Sequence, residues 1–304
     1  MRLQRWCMMM ELESKWKVAS EMFNLPAPGP FLLERPPLAA AVAQVRFPLL
    51  ADLQELAGIA PFQKAVRHRY PFMEQVHQQQ FSVVVGPLGP TAPATADRAI
   101  AWKFTANDSW TLSLEAGAAT LSVGTSYTDV EEFRVRWRDV LEALINTTEG
   151  ALRCDRLSIR YVDAVDVGEA SRTEWRNWFR PELVGWLASD ILDVGAAARI
   201  YISQSHVVGR TSVSDVHETA PLQGLIRHGL VPVDTAVAFE PLSPPLKLNG
   251  PTFLVDVDLF IEVHQPFDSK VLMTQFSELQ GQAAAFFWWS LTDAGKEHFG
   301  AVQR

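Results

Sequence analysis

Residues 252–263 read TFLVDVDLFIEV, an alternation in which Phe253, Val255, Val257, Leu259, Ile261 and Val263 fall on one side and Asp256, Asp258 and Glu262 on the other. Successive side chains of a strand point to opposite faces, so a period of two held this long describes a strand with one face in a core. A second run, 156–167, has the same character: Leu157, Ile159, Tyr161, Val165 and Val167 share a face that Asp163 interrupts. Two such strands require a layered architecture in which a sheet buries one side against something else.

Shorter elements fill in the rest. The apolar run 38–47, bounded by prolines, reads as a mostly buried strand, and 79–85 (QQFSVVV) reads as another. Three strands follow at 99–105, 109–115 and 119–125, with turn residues at Asn107-Asp108 and Ala116-Gly117, and form a β-meander. A helix is expected from 52 to about 68 with a break near Pro61. The strongest helical pattern runs from 130 to about 147: Phe133, Trp137, Val140, Leu141 and Leu144 recur on one face. Thr128 with Glu131, or Asp129 with Glu132, offers its capping box, and Glu132 stands four residues before Arg136.

The second half is less regular. Helical turns are expected over 173–188 around Pro181, and strands at 198–208, 212–217 and about 222–231. A long helix covers 269 to about 291, and a short one begins at Thr292. Proline-rich loops occupy 86–97 and 241–251. Strands joined by hairpin-length turns give antiparallel sheet, so the fold class is α+β, with antiparallel sheets packed against helices. The expected organisation is a flexible arm over 1–30, for which Met22 is an alternative start, then a first half at 31–168 and a related second half at 169–304 packed on it.

Composition narrows the function classes. The 27 basic and 35 acidic residues leave a charge of −8, which repels phosphate backbones and disfavours nucleic-acid binding unless a local basic face, such as Arg134, Arg136 and Arg138, overrides it. Cys7 and Cys154 are isolated and belong to no C-x-x-C pair, which argues against a zinc site or disulfide framework. Neither a signal-peptide apolar core nor a membrane-length apolar run is present, so a cytoplasmic protein is expected. The seven histidines never show ligand spacing. His217-Glu218 opens like a metalloprotease helix but meets Pro221, and no phosphate loop, dinucleotide fingerprint or nucleophile elbow occurs. No cofactor and no metal is expected.

Several motifs recur in an order that carries a resemblance: Arg35-Pro36-Pro37-Leu38, Gln44-Val45-Arg46-Phe47, Trp102-x-Phe104, then Arg156-Leu157-Ser158-Ile159-Arg160-Tyr161-Val162-Asp163 and Leu254-Val255-Asp256-Val257-Asp258 before an aromatic-rich helix. Over nearly everything after Glu34 the chain resembles a sporadically distributed prokaryotic family of uncharacterised proteins. That family often carries an acid soon after Pro-Pro-Leu, where this chain has Ala39 to Ala41. Its patchy distribution implies an accessory or defence-related role, against phage for example, linked to mobile elements, and implies no mechanism.

The candidate site residues are Arg160, Tyr161, Asp163, Asp256, Asp258, Trp288 and Trp289. If the two long strands are neighbours, Asp163, Asp256 and Asp258 could converge on a cation or act as an acid–base pair, which is the enzyme reading, a metal-assisted hydrolase or transferase. The plainer account is the polar outer face of a half-exposed sheet. Arg160 and Tyr161 could hold an anion or stack on a ligand, although phase sets Arg160 beside an acid on the polar face. Phe286, Phe287, Trp288 and Trp289 are consecutive, and no single helical stripe can bury all four, so some must cover a second surface. The preferred expectation is therefore a non-enzymatic binding protein with a protein or peptide partner, a second copy of the chain included.

Overall fold

A computed structural model describes residues 6–7, 23, 25, 31–78, 81–82, 85–86, 89–90, 94–95, 99–148, 150, 152–167, 174–185, 201–208, 221–231, 236–237, 246–247 and 251–303. Nine strands form its main sheet. The first five are β1 (Leu38–Arg46), β2 (Phe72–Gln78), β3 (Ala99–Thr105), β4 (Trp110–Glu115) and β5 (Ala118–Val123). The last four are β6 (Arg153–Asp166), β7 (Tyr201–Val208), β8 (Leu222–Val231) and β9 (Thr252–Pro266). Their order is β7-β8-β9-β6-β1-β5-β4-β3-β2, and every neighbouring pair is antiparallel. Two meanders, β2 to β5 and β7 to β9, are thus joined through β1 and β6. The α+β class and the antiparallel sheet read from the pattern are those of the structure.

The helices are α1 (Leu56–Val66), α2 (Val130–Thr147), the single turn α3 (Pro181–Val184), α4 (Ser269–Ser290) and α5 (Asp293–His298). Helix α2 starts where its cap dictates: the Asp129 carboxylate accepts a hydrogen bond from the Glu132 amide at 2.7 Å. Helices α1, α2 and α4 all pack on one face of the sheet, through Phe62 against Phe104, Phe133 against Trp110, and Gln280 against Tyr161. Phe276 of α4 sits between Phe133 and Trp137 of α2, with ring centroids at 5.9 and 6.0 Å, and locks the two long helices together. Helix α5 comes close to the backbone beneath it, since a Cβ on Gly295 would lie 2.1 Å from the Trp178 carbonyl oxygen.

Three expectations shift. The strand expected at 79–85 falls partly outside the described residues, and it is preceded by an edge strand that was not expected, β2, which pairs with β3 from Phe72 opposite Thr105 to Gln78 opposite Ala99. Its polar residues, such as Glu74 and Gln75, suit a sheet edge and weaken any periodic signal. Residues Phe81–Ser82 and Val85–Gly86 instead form short pairs with Ala94–Thr95 and Gly89–Pro90. Helix α1 runs through Pro61, which near the helix start forfeits only the bond to Ala57. Within 1–30, Trp6–Cys7 pairs with Phe31–Leu33, which also pairs with Ala301–Gln303, and the Phe23 ring packs on Phe286 at 5.1 Å. The expected strand at 212–217 and the expected helical residue Trp186 lie outside the described residues.

Replacing Phe276 with alanine is expected to cost about 3–5 kcal/mol in denaturant unfolding, because the cavity opens where α2, α4 and the sheet meet.

Candidate functional site

The register of the central strands turns alternation into a charged lattice. Arg46 of β1, Arg156 of β6 and Glu262 of β9 stand in one row across the sheet. Two rows on, Arg160 stands opposite Asp258, with Leu225 of β8 beyond it; in the next, Val162 opposes Asp256, which opposes Arg227. These side chains project from the face opposite the one that α2 and α4 cover.

Asp256 is the centre of this lattice. Both its oxygens are taken by Arg160, Nε to Oδ1 at 2.7 Å and Nη2 to Oδ2 at 2.8 Å, and Arg227 Nη1 reaches Oδ2 at 3.0 Å. The Asp256 side chain is 3% exposed, against 16% for Arg160 and 29% for Arg227. Burial works against the Arg160 charge, but the bond to Asp256 and the nearby Asp258 outweigh it and raise its pKa. A bidentate pair completed by a second arginine is a strong way to hold a carboxylate.

Arg156 is held less well. Its guanidinium carbon lies 4.0 Å from the Phe260 ring centroid, and Nη2 reaches Asp258 Oδ2 at 3.5 Å, the outer limit of a hydrogen bond. Its Nε is buried with no hydrogen-bond partner. Burial lowers the pKa of Arg156, with Arg46 adding repulsion that Asp258 and Glu262 offset in part. Asp258 is pushed up by burial, while Arg156, Arg160 and Arg227 pull it down.

Tyr161 and Asp163 lie on the other side of the sheet. The expected convergence of Asp163 with Asp256 and Asp258 does not occur: β6 and β9 are neighbours, but Asp163 pairs with Val255 and so shares its core-facing side. Tyr161 accepts a hydrogen bond from Gln280 Nε2 of α4 at 3.0 Å and meets Tyr127 edge-on, and burial pushes its pKa up to about 12. Asp163 is 2% exposed, its Oδ1 has no partner, and burial followed by the charge of Asp256 raises its pKa well above the usual carboxylate range. It lies in the core with burial working against its charge, away from Asp256 and Asp258.

Trp288 and Trp289 are both partly buried at the end of α4, whereas Phe286 and Phe287 are buried, so the four consecutive aromatics do divide between surfaces. Lys296 Nζ lies 4.7 Å from the Trp288 ring and the Arg180 guanidinium 5.3 Å from that of Trp289, and Arg180 Nε donates to the Trp289 carbonyl. This cluster belongs to the packing of α5 and the 180 region on α4 and stands apart from the arginine lattice. The basic row on α2 is not a free stripe either. Arg136 is buried over Trp110 and paired with Asp108 and Glu132, Arg134 pairs with Glu131, and Arg138 is exposed.

Arg46, Arg156 and Arg227 were not singled out from the sequence as site residues. Arg46 and Arg156 carried a signal, since each is in phase with the polar positions of an otherwise apolar strand. Arg227 carried none before its partner strand was known. Among the described residues no three His, Cys, Asp or Glu side chains come together to hold a metal ion, and no helix is long and apolar enough to cross a membrane. His217 lies outside the described residues. No protein-family model and no curated protein matches the chain.

Two predictions follow from burial. Asp256→Ala leaves Arg160 and Arg227 without their shared counter-charge and is expected to cost about 3–5 kcal/mol in unfolding free energy. Burial raises the pKa of Asp163 on folding, so its contribution is fully present below the unfolded pKa and is lost as pH rises towards the raised folded value. Denaturation from pH 4 upward should show wild type losing about 1.4 kcal/mol per pH unit relative to Asp163→Asn across that window.

Proposed function

We propose that this chain is a non-enzymatic binding protein that works by holding a protein or peptide partner. The observation that carries this reading is the state of the strand carboxylates. Asp256 is bound on both oxygens by arginines, and Asp163 is buried on the opposite face, where its charge is disfavoured. Catalysis by a general base or by a bound cation needs a carboxylate that is ionised, reachable and free of competing partners. Neither residue meets that need, and Asp258 alone cannot replace the set. A lattice of fixed arginines and acids on strands is suited instead to recognition, where rigidly placed charges select a complementary surface.

The resemblance to the prokaryotic family gives this activity a setting, an accessory or defence-related factor associated with mobile elements in the cytoplasm. The partly buried Trp288 and Trp289, each beneath a cation, are of the residue type that anchors protein contacts, and a second copy of the chain is one partner they could meet.

Purification of the tagged chain from its host, with light scattering and native mass spectrometry, is expected to give a stoichiometric complex above the 33.9 kDa monomer. Thermal unfolding with and without Mg²⁺, Mn²⁺ or Ca²⁺ is expected to show no metal-dependent rise in Tm. A rise that disappears in Asp256→Asn/Asp258→Asn, or sustained substrate turnover abolished by a point mutation, would replace this reading with the metal-assisted hydrolase or transferase.

A further inference from the structure

We propose that Arg46 and Arg156 form a clamp for a carboxylate supplied by the protein or peptide partner, an aspartate or glutamate side chain or a chain terminus. The proposal rests on the binding reading above and names the chemistry of its contact.

The same sheet face carries a worked example of the device. At Asp256 two arginines on flanking strands, Arg160 and Arg227, close on one carboxylate. Arg46 and Arg156 are a second arginine pair, directly opposed on β1 and β6. Like charges facing each other across a ladder destabilise a sheet unless something neutralises them. Within the described residues nothing does so fully. Arg46 has no ion-pair partner there, and its Nε donates to Gln44 Oε1 at 2.9 Å. Arg156 has only the 3.5 Å contact to Asp258, with its Nε buried and unpartnered.

The pair is also prepared for a ligand. Phe260 lies against the Arg156 guanidinium, which fixes its plane, while Arg46 is exposed and can close from the other side. Asp258 and Glu262 stand close enough to Arg156 to act on its charge. These two acids balance the two arginines, so a doubly charged phosphate gains no local advantage over a singly charged carboxylate, while the net charge of −8 repels it twice as strongly. The carboxylate is therefore the better fit.

The test uses the full chain and a fluorescein-labelled decaglutamate peptide, followed by fluorescence anisotropy. Decaglutamine is the uncharged probe, and inorganic phosphate and glutarate are the competitors. Decaglutamate is expected to bind and decaglutamine not to. Arg46→Gln and Arg156→Gln are each expected to weaken binding at least about tenfold, the loss of one charge-assisted pair. Arg46→Lys should retain part of the affinity. Arg138→Gln, an exposed arginine on α2 with the same charge change, should bind as wild type. Arg46 is exposed and makes no ion pair among the described residues, so its variant reports on the clamp without a folding defect, and thermal unfolding checks this.

The clamp is overturned if decaglutamate does not bind, if Arg46→Gln binds as wild type, if Arg138→Gln weakens binding equally, or if phosphate displaces the peptide more effectively than glutarate. A stoichiometric host partner that survives Arg46→Gln would remove the clamp and leave the binding reading in place, whereas turnover or metal dependence would remove that reading itself.

Discussion

The pairing of β6 with β9 is the contact on which the rest of this structure depends. These are the two longest strands, 14 and 15 residues, and they pair without interruption from Arg156 opposite Glu262 to Asp166 opposite Thr252. The pair joins the β1 to β5 side of the sheet to the β7 and β8 side. On one face it contributes Leu157, Ile159, Val257 and Leu259 to the core beneath α2 and α4. On the other it creates the arginine and carboxylate lattice. Fold and site are two sides of one ladder.

That ladder must resist slipping, and two different forces guard against two different errors. A slip by one residue would turn one of the two strands over, carrying either Arg160 or Asp256 and Asp258 into the helix-covered core at a large desolvation cost. A slip by two residues keeps apolar side chains inside, where Val, Leu and Ile are nearly interchangeable, so the core opposes it weakly. The charges oppose it in one direction, in which Arg160 would face Phe260 in place of Asp258; in the other Arg160 would face Asp256, the acid it already binds, and Asp258 would face Ser158. Buried ion pairs often add little net stability over apolar replacements. Here they disfavour one of the two nearest registers that keep the apolar side chains inside.

How far sequence reasoning reached follows from the range of each signal. Alternation along 252–263 and the spacing of Phe133, Trp137 and Leu141 are local, and they located β9 and α2 to within a few residues. The Asp129 cap is local too. Strand β2 carries a weak signal because an edge strand with one solvated rim needs little apolar patterning, whereas the neighbouring QQFSVVV run has the more strand-like sequence. For the site, a single strand told that Asp256, Asp258 and Glu262 share a face. Asp163 is in phase with Leu157, Ile159, Tyr161 and Val165, so its own strand set it on the core face, and the pairing with Val255 bears this out. Arg227 shows the limit most plainly: its part in the lattice follows from the strand beside it and from nothing in its own neighbourhood.

The lattice also explains why arginine, and not lysine, occupies these positions. On a sheet the side chains of one face stand in fixed rows. A lysine would present a mobile point charge and lose most of its rotamer freedom on contact. Arg160 has already lost that freedom to Asp256, and Arg156 to the Phe260 ring. The ordering cost of those groups is met when the chain folds, so a partner at the proposed clamp would need to supply only the remaining bonds. The surrounding acids then act as a filter: with the whole chain at −8, long-range attraction for anions is weak, and recognition depends on short contacts in which shape and hydrogen-bond direction count for most. A site of this kind selects by close fit and not by charge at a distance.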